Sequence, residues 1–329
     1  MEGLESIAVL IPCYNEEKTI ARVVSEFRAA LPYAQIYVYD NNSTDGTAAR
    51  ASSAGAIVRK EVRQGKGNVV RRMFADVDAS AYVMVDGDST YDAADAVVML
   101  RLLREQRLAM IVGRRVEQSA SAYRPGHVLG NMFFTRSVAW LFGTSFEDIL
   151  SGYRVFSRAF VKSFPAFSGG FEIETELTVH ALTLGLPVAE VSTAYGVRPQ
   201  GSQSKLSTYQ DGLRIVWTIF NLFKNEKPLT FFSLLAGFLM LSSAILAYPI
   251  VVTFLRTGLV PRFPTAILST GLAVSALLMF SCGLILDTVT KGRRETKALA
   301  YLNVRDAVLS RAQASEREAT RELACRREA

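Results

Sequence analysis

Short apolar runs and amphipathic stretches take turns along residues 6–112. Ser6 to Ile11 is an apolar run closed by Pro12 and predicts a strand. Asn15 is placed to cap the following helix, which would turn Ile20, Val23, Val24 and Phe27 inward. Gln35 to Tyr39 predicts a second strand, stopped by the turn-forming cluster Asp40-Asn41-Asn42-Ser43. A helix over Thr47–Ser53, a strand over Ala56–Val58 and a helix over Gly67–Val77 follow. Ala81 to Val85 predicts a fourth strand, ending in Asp86-Gly87-Asp88. A helix over Asp95–Gln106 and a strand over Ala109–Val112 complete the series. Strand and helix in alternation predict an α/β fold with a mostly parallel, Rossmann-like sheet covered by helices. Such sheets bind ligands at the carboxyl ends of their strands. Pro12-Cys13-Tyr14-Asn15, Asp40-Asn41-Asn42 and Asp86-Gly87-Asp88 stand at those ends, so the three polar clusters are expected to share one crevice.

The pattern changes at Pro228. Pro228 to Leu255 holds no charged residue over 28 positions, and Phe263 to Leu286 holds none over 24. About 20 apolar residues span a bilayer. The two segments, about 229–255 and 264–287, therefore predict a transmembrane hairpin. Gly237, Ser242, Ser243, Gly271, Ser275 and Gly283 offer small side chains for helix packing, and Pro249 predicts a kink. Between them, Arg256 to Arg262 is too short for a domain, so both large flanks are expected on one side. Thr208 to Phe223 reads as an amphipathic helix lying in the membrane interface, with Lys224 and Lys227 after it. The expected organisation is a catalytic domain at 1–206, the juxtamembrane helix at 207–227, the hairpin at 228–290 and a basic, helical tail at 291–329.

Charge fixes the orientation of that expectation. The net charge is +6, of which residues 291–329 carry +4, with ten basic and six acidic side chains. Lys291-Gly292-Arg293-Arg294 directly follows the second apolar run. Basic residues beside membrane helices mark the cytoplasmic side. The expected location is thus the inner (cytoplasmic) membrane, with the soluble domain and the tail in the cytoplasm. The start, Met1-Glu2-Gly3-Leu4-Glu5, is acidic and lacks the pattern of a signal peptide. No basic stripe interleaved with aromatics runs through the soluble part, which excludes nucleic acid as an expected partner. Three cysteines, Cys13, Cys282 and Cys325, are too distant for a disulfide framework. Two histidines, His127 and His180, are too few for a histidine metal site or triad.

Asp86-Gly87-Asp88 is the strongest chemical signal. Two carboxylates with a glycine between them, at a strand end, are hard oxygen ligands suited to Mg²⁺ or Mn²⁺. Such an ion neutralises a departing diphosphate. No Gly-x-Gly-x-x-Gly or Walker motif is present, although Gly65-Lys66-Gly67 can bring backbone N–H groups and an ammonium near a phosphate.

The runs Ile7–Glu17, Asp40–Thr47 and Asp86–Asp88 resemble family 2 glycosyltransferases with the GT-A fold. Val112–Arg115, Asp148–Arg154 and Arg198–Lys205 are similar to its polyprenyl-phosphate branch, which includes dolichol-phosphate mannose synthase and bactoprenol glucosyltransferases. The resemblance covers about residues 6–225 and the hairpin. It implies a membrane-bound inverting transferase that moves one hexose from a nucleotide sugar, UDP- or GDP-linked, to polyprenyl (undecaprenyl) phosphate. Pro12, Tyr14, Glu16 and Asp40 match donor nucleoside positions, and Asn42 and Lys66 join them as candidate donor contacts. Asp86 matches the acid near the ribose and metal, and Asp88 the metal ligand. Thr90 stands where dolichol-phosphate mannose synthases have Gln. Arg115, Arg124, Arg198 and Lys205 match cations assigned to donor and acceptor phosphates, while Ser151, Gly152 and Arg154 match a loop on the acceptor side. Asp86, Asp88, Arg115 and Arg198 form the candidate catalytic set. A phosphate acceptor needs no base, so Asp148 is expected to organise Arg154 or the acceptor site. One of Glu172, Glu174 and Glu176 touches the sugar or caps a helix. Three alternatives stay open: a hydroxyl acceptor with Asp148 as base, a polysaccharide synthase, and a silent sugar-nucleotide-binding scaffold. The tail has two open roles, assembly into a homo-oligomer and contact with anionic lipid.

Overall fold

The computed structural model describes residues 6–117, 146–166, 170, 172–196, 217–218 and 220–328, with side chains to residue 305. Of the predicted site residues, Arg124, Arg198 and Lys205 lie outside this set, as does His127. The chain divides into two compact units, Met1–Gly212 with Lys297–Ala329, and Leu213–Thr296.

The first unit is built on a seven-stranded sheet. Its strands are β1 (Ile7–Cys13), β2 (Gln35–Asp40), β3 (Ile57–Lys60), β4 (Ala81–Met84), β5 (Met110–Glu117), β6 (Arg154–Ser157) and β7 (Val188–Tyr195). They lie in the order β3-β2-β1-β4-β6-β5-β7. All neighbours are parallel except β6, which runs antiparallel to both β4 and β5. The helices are α1 (Ile20–Ala30), α2 (Thr47–Ser53), α3 (Lys66–Asp76), α4 (Asp95–Glu105), α5 (Arg158–Ser163) and α6 (Ile173–Thr183). Val9, Leu10 and Ile11 of β1 are buried on both faces, as a central parallel strand requires. Ile20, Val23, Val24 and Phe27 form the buried stripe of α1, as their spacing predicts.

Two local expectations need correcting. Pro12 does not end β1: the strand continues to Cys13, with Pro12 opposite Tyr39 and Cys13 opposite Asp40. Pairing with β4 stops at Leu10, so the missing N–H of Pro12 interrupts no ladder on that side. Asn15 does not cap α1, whose N-cap is Thr19. Asn15 instead takes a left-handed φ of 53° and its side chain accepts the Thr44 N–H at 2.8 Å, tying the first strand tip to the second.

The second unit contains α7 (Pro228–Thr257) and the start of α8 (Phe263–Glu328). Both helices are long and apolar enough to cross a membrane, and little of either apolar window is buried among the described residues. α7 continues through Pro249 and stops where Gly258 adopts φ 70°, a conformation that favours glycine. The hairpin is joined at both levels. Ser243 and Ser269 each donate to the other's backbone carbonyl, at 2.8 and 3.1 Å. At the other level Thr290, Arg293 and Arg294 donate to the carbonyls of Asn225 and Glu226, and Arg294 pairs with the Glu226 carboxylate at 3.2 Å. The predicted tail is no separate element: its helix is the uninterrupted continuation of α8. Of the predicted interfacial helix, Trp217, Thr218 and residues from Phe220 are described, and Trp217 stacks on Phe220.

Candidate functional site

Neighbouring parallel strands β2, β1 and β4 end at the same sheet edge. Each end carries one of the polar clusters found in the sequence. After β1 come Tyr14 and Glu16, both half-buried, and the Glu16 N–H donates to Thr47 Oγ1 at 2.8 Å. The last residue of β2 is Asp40, buried, whose carboxylate accepts the Ser43 N–H at 3.3 Å. Asn41 then locks the third strand's exit: its amide donates to the Glu61 and Arg63 carbonyls and accepts the Gly65 N–H at 2.7 Å. Asn42, at φ 63°, donates its side-chain N–H to the Val62 carbonyl. After β4 come Asp86 and Asp88. The Gly87 carbonyl accepts from Thr19 Oγ1 at 2.7 Å, and a side chain on Gly87 would strike Cys13 Sγ.

Asp86 and Asp88 meet different surroundings. Asp88 is buried and accepts the Thr90 hydroxyl at 2.6 Å, so Thr90 supports the carboxylate directly. Asp86 accepts from the Lys66 ammonium at 2.5 Å. Lys66 opens α3, behind Gly65 at φ 126°, a backbone position that favours glycine. The same ammonium sits 2.6 Å from Glu174 of α6. Burial opposes the charge on Lys66, but its two carboxylate partners outweigh burial and hold it above the ordinary lysine range. On the other side of Asp86 lies Gly152, where a Cβ would come within 2.2 Å of Asp86 Oδ2.

A second polar group lies along β5 and the loop before β6. Arg115 reaches Asp148 through two side-chain bonds, at 2.7 and 2.8 Å, and its guanidinium lies over the Tyr195 ring. Burial disfavours the Arg115 charge, yet the Asp148 hydrogen bonds hold its pKa well above the ordinary arginine value. Glu190 of β7 accepts the N–H groups of Glu147 and Asp148, and burial raises its pKa above the usual carboxylate value. Tyr91, whose pKa burial also raises, lies within 3.4 Å of Ser151 Oγ and accepts the Gly152 N–H.

The expectation for Arg154 is corrected here. Arg154 is fully buried and donates to the Ser151 and Ile149 carbonyls and to Thr178 Oγ1. Burial pushes its pKa down to about 10. Its fork therefore holds the 149–152 loop from inside and presents nothing to an acceptor. Ser151 is equally buried, donating to the Gly113 carbonyl at 2.5 Å. Asp148 pairs with Arg115, not with Arg154. Glu174, Glu190 and Gly152 complete this arrangement. Glu174 stands in a Glu-x-Glu-x-Glu run that gives no sign of which carboxylate turns inward, and Glu190 has no motif around it.

Metal ligation would fall to Asp88 and Asp86, two hard carboxylates in one short loop. That donor chemistry fits a divalent ion that takes its remaining oxygens from a ligand and water. Among the described residues no group of three His, Cys, Asp or Glu side chains stands together as a complete protein cage.

The model of Glycosyl transferase family 2 matches residues 8–164. Protein RfbJ of Shigella flexneri is 56% identical over 123 residues, covering 37% of this chain and 95% of that protein. Glycosyltransferase AglJ of Haloferax volcanii is 38% identical over 229 residues, covering 69% of this chain and 75% of that one. A dolichyl-phosphate hexose transferase of the same organism is 25% identical, covering 64% and 91%. Glucosyl-3-phosphoglycerate synthase from Mycobacterium tuberculosis has a similar fold, with a TM-score of 0.55 at 22% identity over 67% of this chain and 80% of that one. The same enzyme has been solved with Mn²⁺ and UDP, and that structure matches with a TM-score of 0.53 at 22% identity, covering 67% of this chain and 78% of that one.

Proposed function

The chain belongs to glycosyl transferase family 2, and on that premise we propose that it transfers one hexose from a UDP- or GDP-sugar to a polyprenyl phosphate, undecaprenyl phosphate being the acceptor we favour, at the cytoplasmic leaflet. The convergence of Tyr14, Glu16, Asp40, Asp86 and Asp88 at the shared edge of β1, β2 and β4 supports the donor half of this reading. Two helices long and apolar enough to cross a membrane support the lipid half. So does the likeness to a dolichyl-phosphate hexose transferase. The two-helix hairpin would anchor the enzyme, with the basic residues after Asp287 on the cytoplasmic side.

In this reading Asp40 and the first strand tip hold the nucleoside, and Asp86 holds a hydroxyl of the donor. Asp88 would hold Mg²⁺ or Mn²⁺, which neutralises charge on the leaving diphosphate. A phosphate oxygen of the lipid attacks the anomeric carbon as the bond to the diphosphate breaks, inverting that centre. The attacking oxygen is already ionised near neutrality, so no side chain has to remove a proton. Both oxygens of Asp148 are engaged by Arg115, which fits a carboxylate that orients a cation rather than one that works as a base. Arg115, with Arg124, Arg198 and Lys205, would supply positive charge to the phosphates.

Asp88→Asn tests the donor half. It keeps the shape and the bond to Thr90 while removing the charge. Sugar transfer is expected to fall by about 100-fold or more, with little change in the melting temperature. Near-parental turnover would remove Asp88 from the metal site.

A further inference from the structure

We infer that Glu174 is a positioning residue of the donor site, acting through Lys66 to fix Asp86 before any ligand arrives. This inference rests on the donor-site reading above. Three elements distant in sequence meet at one ammonium: Lys66 from the start of α3, Asp86 from the loop after β4, and Glu174 from α6. Lys66 Nζ lies 2.5 Å from Asp86 Oδ1 and 2.6 Å from Glu174 Oε1. Glu174 and the Lys66 side chain are almost wholly covered, whereas Asp86 keeps part of its side chain exposed. So the cluster has a closed end and an open end.

The geometry gives each member a task. A lysine with one carboxylate partner is a point charge on a flexible stem and can swing toward an incoming phosphate. Held from behind by Glu174, Lys66 cannot leave Asp86 without also giving up its ion pair with a buried carboxylate, which is unfavourable. Its role is therefore to hold Asp86 Oδ1, and not to travel to the diphosphate. Gly152 closes the opposite side, because any Cβ there would overlap Asp86 Oδ2. Asp86 is thus pinned between an ammonium and a backbone, with its orientation set in advance. Preorganisation of this kind removes an ordering cost from binding. The second carboxylate also keeps the cluster net negative, so that Asp86 remains a strong acceptor while paired.

Titration calorimetry of UDP and of GDP, each with Mn²⁺, tests this on the full-length protein in detergent. The variants are Glu174→Gln, Lys66→Met and the double substitution. Loss of an outer-shell partner weakens a site by roughly 10- to 100-fold. Glu174→Gln is expected to weaken the nucleotide that the parent binds by about tenfold. Lys66→Met should weaken it at least as much, and the double variant no more than Lys66→Met alone, since Glu174 acts only through the lysine. A residue needed merely for folding would lower the melting temperature and leave the affinity of the folded protein unchanged. Should Glu174→Gln not fold, Glu174→Asp retains the charge on a shorter stem and is expected to weaken binding by more than twofold but by less than the loss of the charge would. Glu174 variants that bind within twofold of the parent, or a double variant that loses the product of the single effects, would overturn the inference. A parent that binds neither nucleotide would contradict the donor-site reading itself, which separates the two failures.

Discussion

Gly152 carries no side chain because Asp86 occupies the space one would need. Gly152→Ala has to push that carboxylate away from Lys66, and a shift of about 1 Å in a positioned group costs roughly 100-fold in rate. We expect that loss in sugar transfer with a melting temperature close to the parent's, since the clash is met by one partly exposed side chain. A parental rate for Gly152→Ala would mean that the position of Asp86 is not critical. His180 shows a different constraint. It is buried edge-on against the stacked rings of Phe160 and Phe164, and neither ring nitrogen has a hydrogen-bond partner among the described residues. Burial lowers its pKa from 6.5 to about 4. The unfolded chain therefore takes up a proton at a pH where the folded chain does not, so stability is lost as pH falls from about 6.5 toward 4. This one group accounts for about 3 kcal/mol across that window. His180→Phe, read by thermal unfolding at several pH values, should flatten the acid side of the stability profile. An unchanged slope would assign the acid loss to other groups.

At the scale of elements, the hairpin separates small residues that pack from small residues that do not. Gly283 faces α7, where an added Cβ would come within 2.9 Å of Phe232 Cβ, while a Cβ added at Gly237 or Gly271 would meet nothing within 4 Å among the described residues. Gly283→Leu should destabilise the hairpin by about 1–3 kcal/mol and Gly271→Leu by far less, measured by thermal unfolding in detergent. Equal effects would contradict this helix contact. The composition of the segment names all three glycines alike, because facing is decided by the partner helix. The same limit runs through the sheet. β1, β2 and β4 were legible as apolar runs because they are buried on both faces. β6 was not, since it is four residues long and begins with Arg154, a residue whose burial depends on carbonyls elsewhere in the fold. β7 was missed because most of its residues are only half-buried and carry no clear alternation. The strand-tip motifs Asp40–Asn42 and Asp86–Asp88 were legible from chemistry and position together. The partners of Lys66 and Arg115 were not, because each contact joins elements that no local spacing relates.

At the scale of the whole molecule, one α/β unit carries the candidate donor site and one helical unit carries two apolar helices. Family membership establishes the first as a glycosyltransferase. In the proposed reaction a lipid acceptor would make use of both. The direct measurement is transfer by the purified full-length protein in detergent. Undecaprenyl phosphate, Mg²⁺ or Mn²⁺, and a panel of labelled UDP- and GDP-sugars would be supplied, with a free hydroxyl acceptor and no lipid as the comparison. The account predicts label in a lipid bearing a single sugar, from one donor of the panel, dependent on the metal and lost in Asp88→Asn. Label transferred to the hydroxyl acceptor or built into long polymer, with none on the lipid phosphate, would contradict it.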